Sequence, residues 1–133
     1  VMHTTFPLPV RYLGVLHDEI SMALAYSAAD LFVCPSRRES FSNTTLESLS
    51  CGVPVVAFPV GGIPEMVDHK KNGFLASPYS SDDLAYYIDI TLKNNNLRKS
   101  MSICAREKVI KNFSMPIVAE KYINLYKGML RLR

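Results

Sequence analysis

The residues from 31 to 58 read Leu31-Phe32-Val33-Cys34-Pro35-Ser36-Arg37-Arg38-Glu39-Ser40-Phe41-Ser42-Asn43-Thr44-Thr45-Leu46-Glu47-Ser48-Leu49-Ser50-Cys51-Gly52-Val53-Pro54-Val55-Val56-Ala57-Phe58. Two short apolar runs, 31–34 and 54–58, flank a polar loop and a helix-forming stretch. Unbroken apolar runs of this length suit strands buried on both faces, as in a parallel sheet. The stretch 43–50 reads as the crossing helix, with Gly52 placed to cap its C-terminal end.

Working outward, Val10-Arg11-Tyr12-Leu13 ahead of Gly14 predicts a further strand that ends in a glycine turn. Asp18 then caps a helix to about Ala29, with Ile20, Leu24 and Ala28 on one face. On the other side, Gly61-Gly62 makes a tight loop and 63–67 a short helical turn with Pro64 near its start. Asn72-Gly73 signals a turn before a last short strand, 74–76. From there the pattern is helical only. Ser80 with Asp83 reads as a capping box ahead of 84–93, Asn94-Asn95-Asn96 breaks that helix, and a second covers about 97–111. Ser114 caps a third, with Pro116 in its first turn. Strands alternating with helices predict an α/β fold with a doubly wound, mostly parallel sheet. The expectation is one domain over 1–133, with a core of about 10–93 and a helical tail of 94–133.

A chain of 133 residues is long enough to bury a real core, and 48% apolar with 20% charged residues marks a folded globular domain. The net charge of +3 is too mild for a nucleic-acid reader, so no nucleic acid is expected as partner. The three cysteines, Cys34, Cys51 and Cys104, are widely spaced, and no pair has metal-ligand spacing. Cys34 and Cys51 read as small core residues, which predicts a reducing, cytoplasmic setting. No apolar run reaches a membrane span, and residues 1–5 do not form a signal peptide. The chain opens on Val, so a piece of a longer protein is expected.

In a parallel sheet of this kind ligands bind at the C-terminal strand ends, which directs attention to three loops. In the loop after Cys34, the small polar residues Ser42, Asn43, Thr44 and Thr45 meet the start of a helix. A helix N-terminus presents free N–H groups and a positive dipole end, an anion site. The hydroxyls of Thr44 and Thr45 are candidate phosphate donors. Glu39 just before the helix and Glu47 one turn inside it would flank the same mouth, and carboxylates accept well from vicinal sugar hydroxyls. By spacing alone a plainer reading leads: Ser42 or Asn43 as a helix cap and Glu47 as a dipole partner. In the loop after Phe58, Gly61-Gly62 allows close backbone approach to a ligand, or simply a strand-to-helix turn. In the loop after Leu13, Gly14 permits contact with a flat base, against a plain turn. His17 and His69 are isolated, His69 as an exposed turn residue, and His3 lies near the chain end.

The combination is more specific than its parts. Pro35-Ser36-x-x-Glu39-x7-Glu47, then Cys51-Gly52-x-Pro54-Val55-Val56-Ala57, Gly61-Gly62-Ile63-Pro64-Glu65 and Asn72-Gly73-Phe74-Leu75 resemble the group 1 glycosyltransferases (family GT4). Ala29-Asp30-Leu31-Phe32-Val33 matches too, and the resemblance covers about 10–89. It is nearest to bacterial members that build capsule, exopolysaccharide or lipopolysaccharide. It implies a GT-B fold, two Rossmann-like domains across a cleft, of which this chain would be the C-terminal, donor-binding one. Glu39 matches the first glutamate of the EX7E motif, which contacts hydroxyls of the transferred sugar, and is the catalytic candidate. Glu47 matches the second, which binds ribose. Phe41, Ser42 and Asn43 lie in the loop whose N–H groups contact the donor sugar, Thr44 and Thr45 where the diphosphate binds, and Gly14 and Val15 near the base. The resemblance implies retention of anomeric configuration, a nucleotide-sugar as substrate, and no metal or other cofactor.

Ser40-Phe41-Ser42 stands where the family often has Gly-Phe-Gly. The family's first two strands of this domain, its Arg/Lys pair for the departing diphosphate, and its N-terminal acceptor domain are not in the sequence. Arg37 and Arg38 read as exposed loop residues instead. The strand at 10–13 is thereby expected to lack its normal neighbour or to pair differently, and the chain alone to be inactive in transfer. Basic residues on the final helix (Lys121, Lys127, Arg131, Arg133) leave room for a weak membrane-surface contact at the inner face, against simple packing. Two other classes compete with the enzyme fragment: a non-catalytic nucleotide-binding module, and another GT-B enzyme such as a sugar-nucleotide epimerase. The intact glutamate pair argues against the first.

Overall fold

The structure, a computed structural model, describes residues 8–131. Among them the order is α1 (Glu19–Ser27), β1 (Phe32–Cys34), α2 (Asn43–Ser50), β2 (Val55–Ala57), α3 (Ile63–Met66), β3 (Gly73–Leu75), α4 (Ser81–Lys93), α5 (Asn95–Phe113) and α6 (Met115–Arg131). The three strands form one parallel sheet in the order β1-β2-β3, in the α/β class expected. Phe32 lies beside Val55 and Cys34 beside Ala57. Val55 in turn lies beside Gly73, and Ala57 beside Leu75.

Side chains alternate across a strand, so each strand feeds two faces. Cys34, Val55 and Ala57 pack with Leu49 of α2, Ile63 and Met66 of α3, and Ala105 and Val109 of α5. Val56 and Phe74 point the other way, against Met101 and a rim of Leu84, Tyr87 and Ile88. The Phe74 and Tyr87 rings stack at 4.6 Å. Helices therefore cover both sheet faces, and strands with no solvent-facing side explain the unbroken apolar runs.

The caps follow from local chemistry. Asp18 accepts the Ser21 N–H at 2.8 Å and starts α1. Gly52, at φ +74°, closes α2 with Gly52 N–H to Leu49 C=O and Val53 N–H to Ser48 C=O, each 3.0 Å: a Schellman motif, which needs a left-handed residue at that point. Ser80 accepts the Asp83 N–H, as in a capping box, but the Asp83 carboxylate turns to the Ser77 N–H at 2.6 Å, and α4 begins at Ser81. Asn94 breaks the helix by capping the next, accepting the Leu97 N–H.

Three expectations change. Residues 10–13 form no strand; Val10, Tyr12 and Leu13 are exposed. A strand exists by pairing, and no described strand borders this segment, so its apolar alternation has nothing to pack on. Residues from 94 on are not uniformly a tail: α5 places Met101, Ala105 and Val109 in the core, while α6 buries none of its residues. Asn72 is more than a turn residue. It is buried, accepting the Asp68 N–H at 2.7 Å and donating to the Met66 carbonyl at 2.9 Å, and so fastens the loop that delivers β3.

Candidate functional site

The C-terminal ends of β1 and β2 deliver two loops to one edge of the molecule. The first carries Glu39 to Ser42 and runs into α2. The second carries Gly61 and Gly62. They are joined backbone to backbone: Gly62 N–H donates to the Ser40 carbonyl at 3.0 Å. A Cβ on Gly61, which sits at φ +54°, would stand 2.0 Å from the Glu39 carbonyl oxygen. One on Gly62 would stand 3.0 Å from the Phe41 ring. The paired glycines thus admit the Glu39 loop rather than a ligand directly.

Ser42 makes the turn into α2 at φ +70°, ψ +75°, left-handed and not a glycine. Its hydroxyl is buried, 2.9 Å from the Thr45 hydroxyl and 3.8 Å from Cys34 Sγ. This corrects two readings. Ser42 stands at the cap position, but its side chain caps no helical N–H. Thr45 is fully buried and its hydroxyl is engaged, so it offers a phosphate no free hydroxyl, whereas Thr44 is exposed. The start of α2 carries no acidic side chain in its first turn. The first N–H groups of such a helix lack intrahelical acceptors and point outward with the positive dipole end behind them.

Glu39, Ser40, Phe41, Ser42, Asn43 and Thr44 line an open depression of about 380 Å³. Phe41 leans on Phe113 of α5, ring centroids 6.1 Å apart. Most of the sequence candidates meet here. Glu47 does not: one turn into α2, it lines a neighbouring cleft of about 250 Å³ with Glu19, Met22, Ala23, Tyr26, Ser50 and Cys51. There the Tyr26 phenol donates to Glu47 Oε2 at 3.0 Å. Burial, then the Glu47 carboxylate, push that phenol up to about 12. Gly14, at φ +71° with open space around it, and exposed Val15 line neither depression. Arg37 and Arg38 are exposed, Arg37 over the Tyr79 ring at 5.7 Å. His69 is exposed but not idle, since its Nδ1 accepts the Leu75 N–H at 3.1 Å. His3 lies outside the described residues.

Sequence reasoning missed Tyr26, which stands on another helix, and Arg106, whose guanidinium donates to the Ser50 carbonyl at the far end of α2. Both contacts join different helices, and no local pattern in the sequence signals either. No helix among the described residues is long and apolar enough to cross a membrane.

Comparison with known proteins places this geometry in context. Residues 10–108 match the family model described as glycosyl transferases group 1. The chain is 34% identical over 122 residues to N-acetyl-alpha-D-glucosaminyl L-malate synthase of Bacillus anthracis, covering 92% of the chain and 31% of that protein. It is 36% identical over 118 residues to O-antigen chain mannosyltransferase B of Escherichia coli, covering 89% and 30%. Among solved structures it is similar to HepE of Anabaena in complex with UDP and glucose, with a TM-score of 0.79 and 26% identity, over 89% of the chain and 32% of HepE. The chain thus spans roughly a third of the length of these proteins.

Proposed function

The chain belongs to the group 1 glycosyl transferases, and on that premise we propose that it is the donor-binding part of a GT-B glycosyltransferase that moves a sugar, with retention, from a nucleotide-sugar to a glycan or lipid-linked acceptor. The observation that carries the proposal is the uncapped start of α2 beside Glu39. A diphosphate at that N-terminus meets N–H donors and a positive dipole end, worth up to roughly 2 kcal/mol in a partly buried site. Glu39, in the same depression, is within reach of hydroxyls on the sugar attached to that diphosphate, with the loop N–H groups of Phe41, Ser42 and Asn43 beside it. Glu47, in the adjoining cleft, takes the ribose, and the Gly14-Val15 turn lies toward the base. The UDP and glucose in HepE support a uridine donor. The E. coli O-antigen chain mannosyltransferase supports a role in bacterial surface polysaccharide; the GT4 branch and the cytoplasmic side of the membrane are part of the same proposal.

The donor is a substrate; the reading takes no metal, and transfer assays with and without chelator check that. The acceptor domain and the cations for the departing diphosphate are assigned to parts of the protein outside this chain. Calorimetric titration of UDP, GDP and ADP and their sugars, into this chain and into one extended upstream, tests the donor site. Binding of at least one nucleotide-sugar, weakened about tenfold or more by Glu47→Ala, is expected, with no transfer by the 133-residue chain alone. If the extended chain binds none of them, the proposal fails; transfer by the short chain at the full enzyme's rate refutes the division of labour.

A further inference from the structure

Glu47 is a long side chain on a partly exposed helix face, and an unheld carboxylate there would lose rotamer freedom on binding a ligand. It is held. Tyr26 of α1 donates its phenol to Oε2 at 3.0 Å. Tyr26 is itself set by the sheet, its ring edge-on to Phe32 of β1 at 5.7 Å and 76°. A chain of contacts therefore runs from β1 through α1 to a carboxylate on α2. A carboxylate has about four lone-pair sites, so one phenol leaves Oε1 and most of the acceptor capacity unused. The cleft of about 250 Å³ in which they meet is open to receive a donor.

We propose that Tyr26 is a positioning residue that orients Glu47 toward a ribose diol and so contributes to selection of ribonucleotides. This rests on the reading of Glu47 as the ribose ligand. Tyr26 acts on the ribose through Glu47, to which its hydroxyl is committed. A phenol is protonated, and so a donor, throughout the neutral range. Pre-orienting an acceptor raises affinity by removing the ordering cost, and the gain falls only on ligands that use that acceptor.

The test compares UDP with 2′,3′-dideoxy-UDP, by calorimetry, on the upstream-extended wild-type protein and on its Tyr26→Phe and Glu47→Gln variants. Wild type is expected to prefer UDP by about tenfold or more, the scale of a hydrogen bond to a charged group. Glu47→Gln should erase most of that preference. Tyr26→Phe should narrow it by roughly threefold, with dideoxy-UDP affinity within about twofold of wild type. A Tyr26→Phe protein that keeps the wild-type ratio, or weakens both nucleotides equally, overturns the proposal while leaving Glu47 as ribose ligand. Equal binding of both nucleotides by wild type and Glu47→Gln alike, or no UDP binding by wild type, removes the ribose reading itself and the proposal with it. A ligand-free readout stands beside these. The Tyr26 ring-carbon resonance, identified by its loss in Tyr26→Phe, should move in Glu47→Gln, and a resonance that stays put shows that the contact is not formed in solution.

Discussion

The two glutamates of the motif are fixed by opposite means. Around Glu39 the constraint is backbone: the loop lies against Gly61 and Gly62, where a single Cβ would meet the Glu39 carbonyl at 2.0 Å, and turns into α2 through a left-handed Ser42. Around Glu47 the constraint is a side chain, the phenol of Tyr26. One region is specified by an absent methyl group, the other by a present hydroxyl. The first constraint has no softer alternative, because two backbones cannot interpenetrate. The second is one hydrogen bond in a partly open cleft, which can be lost without moving either helix. Changes in the first region should therefore cost fold and site together, and changes in the second should cost selectivity first.

The strongest challenge to this contrast is Gly61→Ala. Steric conflict with the Glu39 backbone adds to a positive φ that alanine tolerates poorly, and the expected loss is about 2–4 kcal/mol of stability. Thermal melts should show a fall on the order of 10 °C. Nucleotide-sugar binding should be lost even where the fold survives. Wild-type melting and binding in this variant would mean that the glycine cradle is not what holds the Glu39 loop.

A smaller effect is expected at Thr45→Val. It removes the partner of a Ser42 hydroxyl that is itself buried, leaving a polar group with only the distant Cys34 sulfur. The expected cost is about 1–2 kcal/mol in urea unfolding. Binding should weaken through the disturbed left-handed turn, not through loss of a phosphate contact. A Thr45→Val protein with intact stability but lost nucleotide binding would restore Thr45 to the role of a direct phosphate donor.

How far the sequence revealed these devices depends on the range over which each acts. The apolar runs at β1 and β2, the Asp18 cap, the helix break at Asn94 and the Gly52 terminator were legible because each is decided within a few residues. So was the meeting of Glu39, Phe41, Asn43 and Thr44 at one helix start. The strand expected at 10–13 was not decided locally, since a strand needs a neighbour and local alternation does not supply one. The glycine pair was visible, but its true contact, the Glu39 carbonyl, belongs to another loop. The Thr45 hydroxyl looked available because sequence does not show burial, and Tyr26 stayed hidden because it reaches Glu47 from another helix, 21 positions away.

The finest test of the side-chain constraint is its pH dependence. The folded protein holds the Tyr26 phenol at about 12, against an ordinary value of 10.0, through burial and the Glu47 carboxylate. Folding therefore favours the neutral phenol. Its contribution to stability is fully present below about pH 10 and declines as the pH climbs through about 12. Above that, a phenolate beside Glu47 would put two anions where one hydrogen bond stood. Urea unfolding of wild type and Tyr26→Phe should give a gap of about 1 kcal/mol at neutral pH, constant up to about pH 10 and closing between there and pH 12. The other tyrosines and the lysines also titrate in this window, but they are common to both proteins and cancel in the difference. A gap that stays constant across the window would place the phenol free of Glu47, and the second glutamate would then need some other restraint.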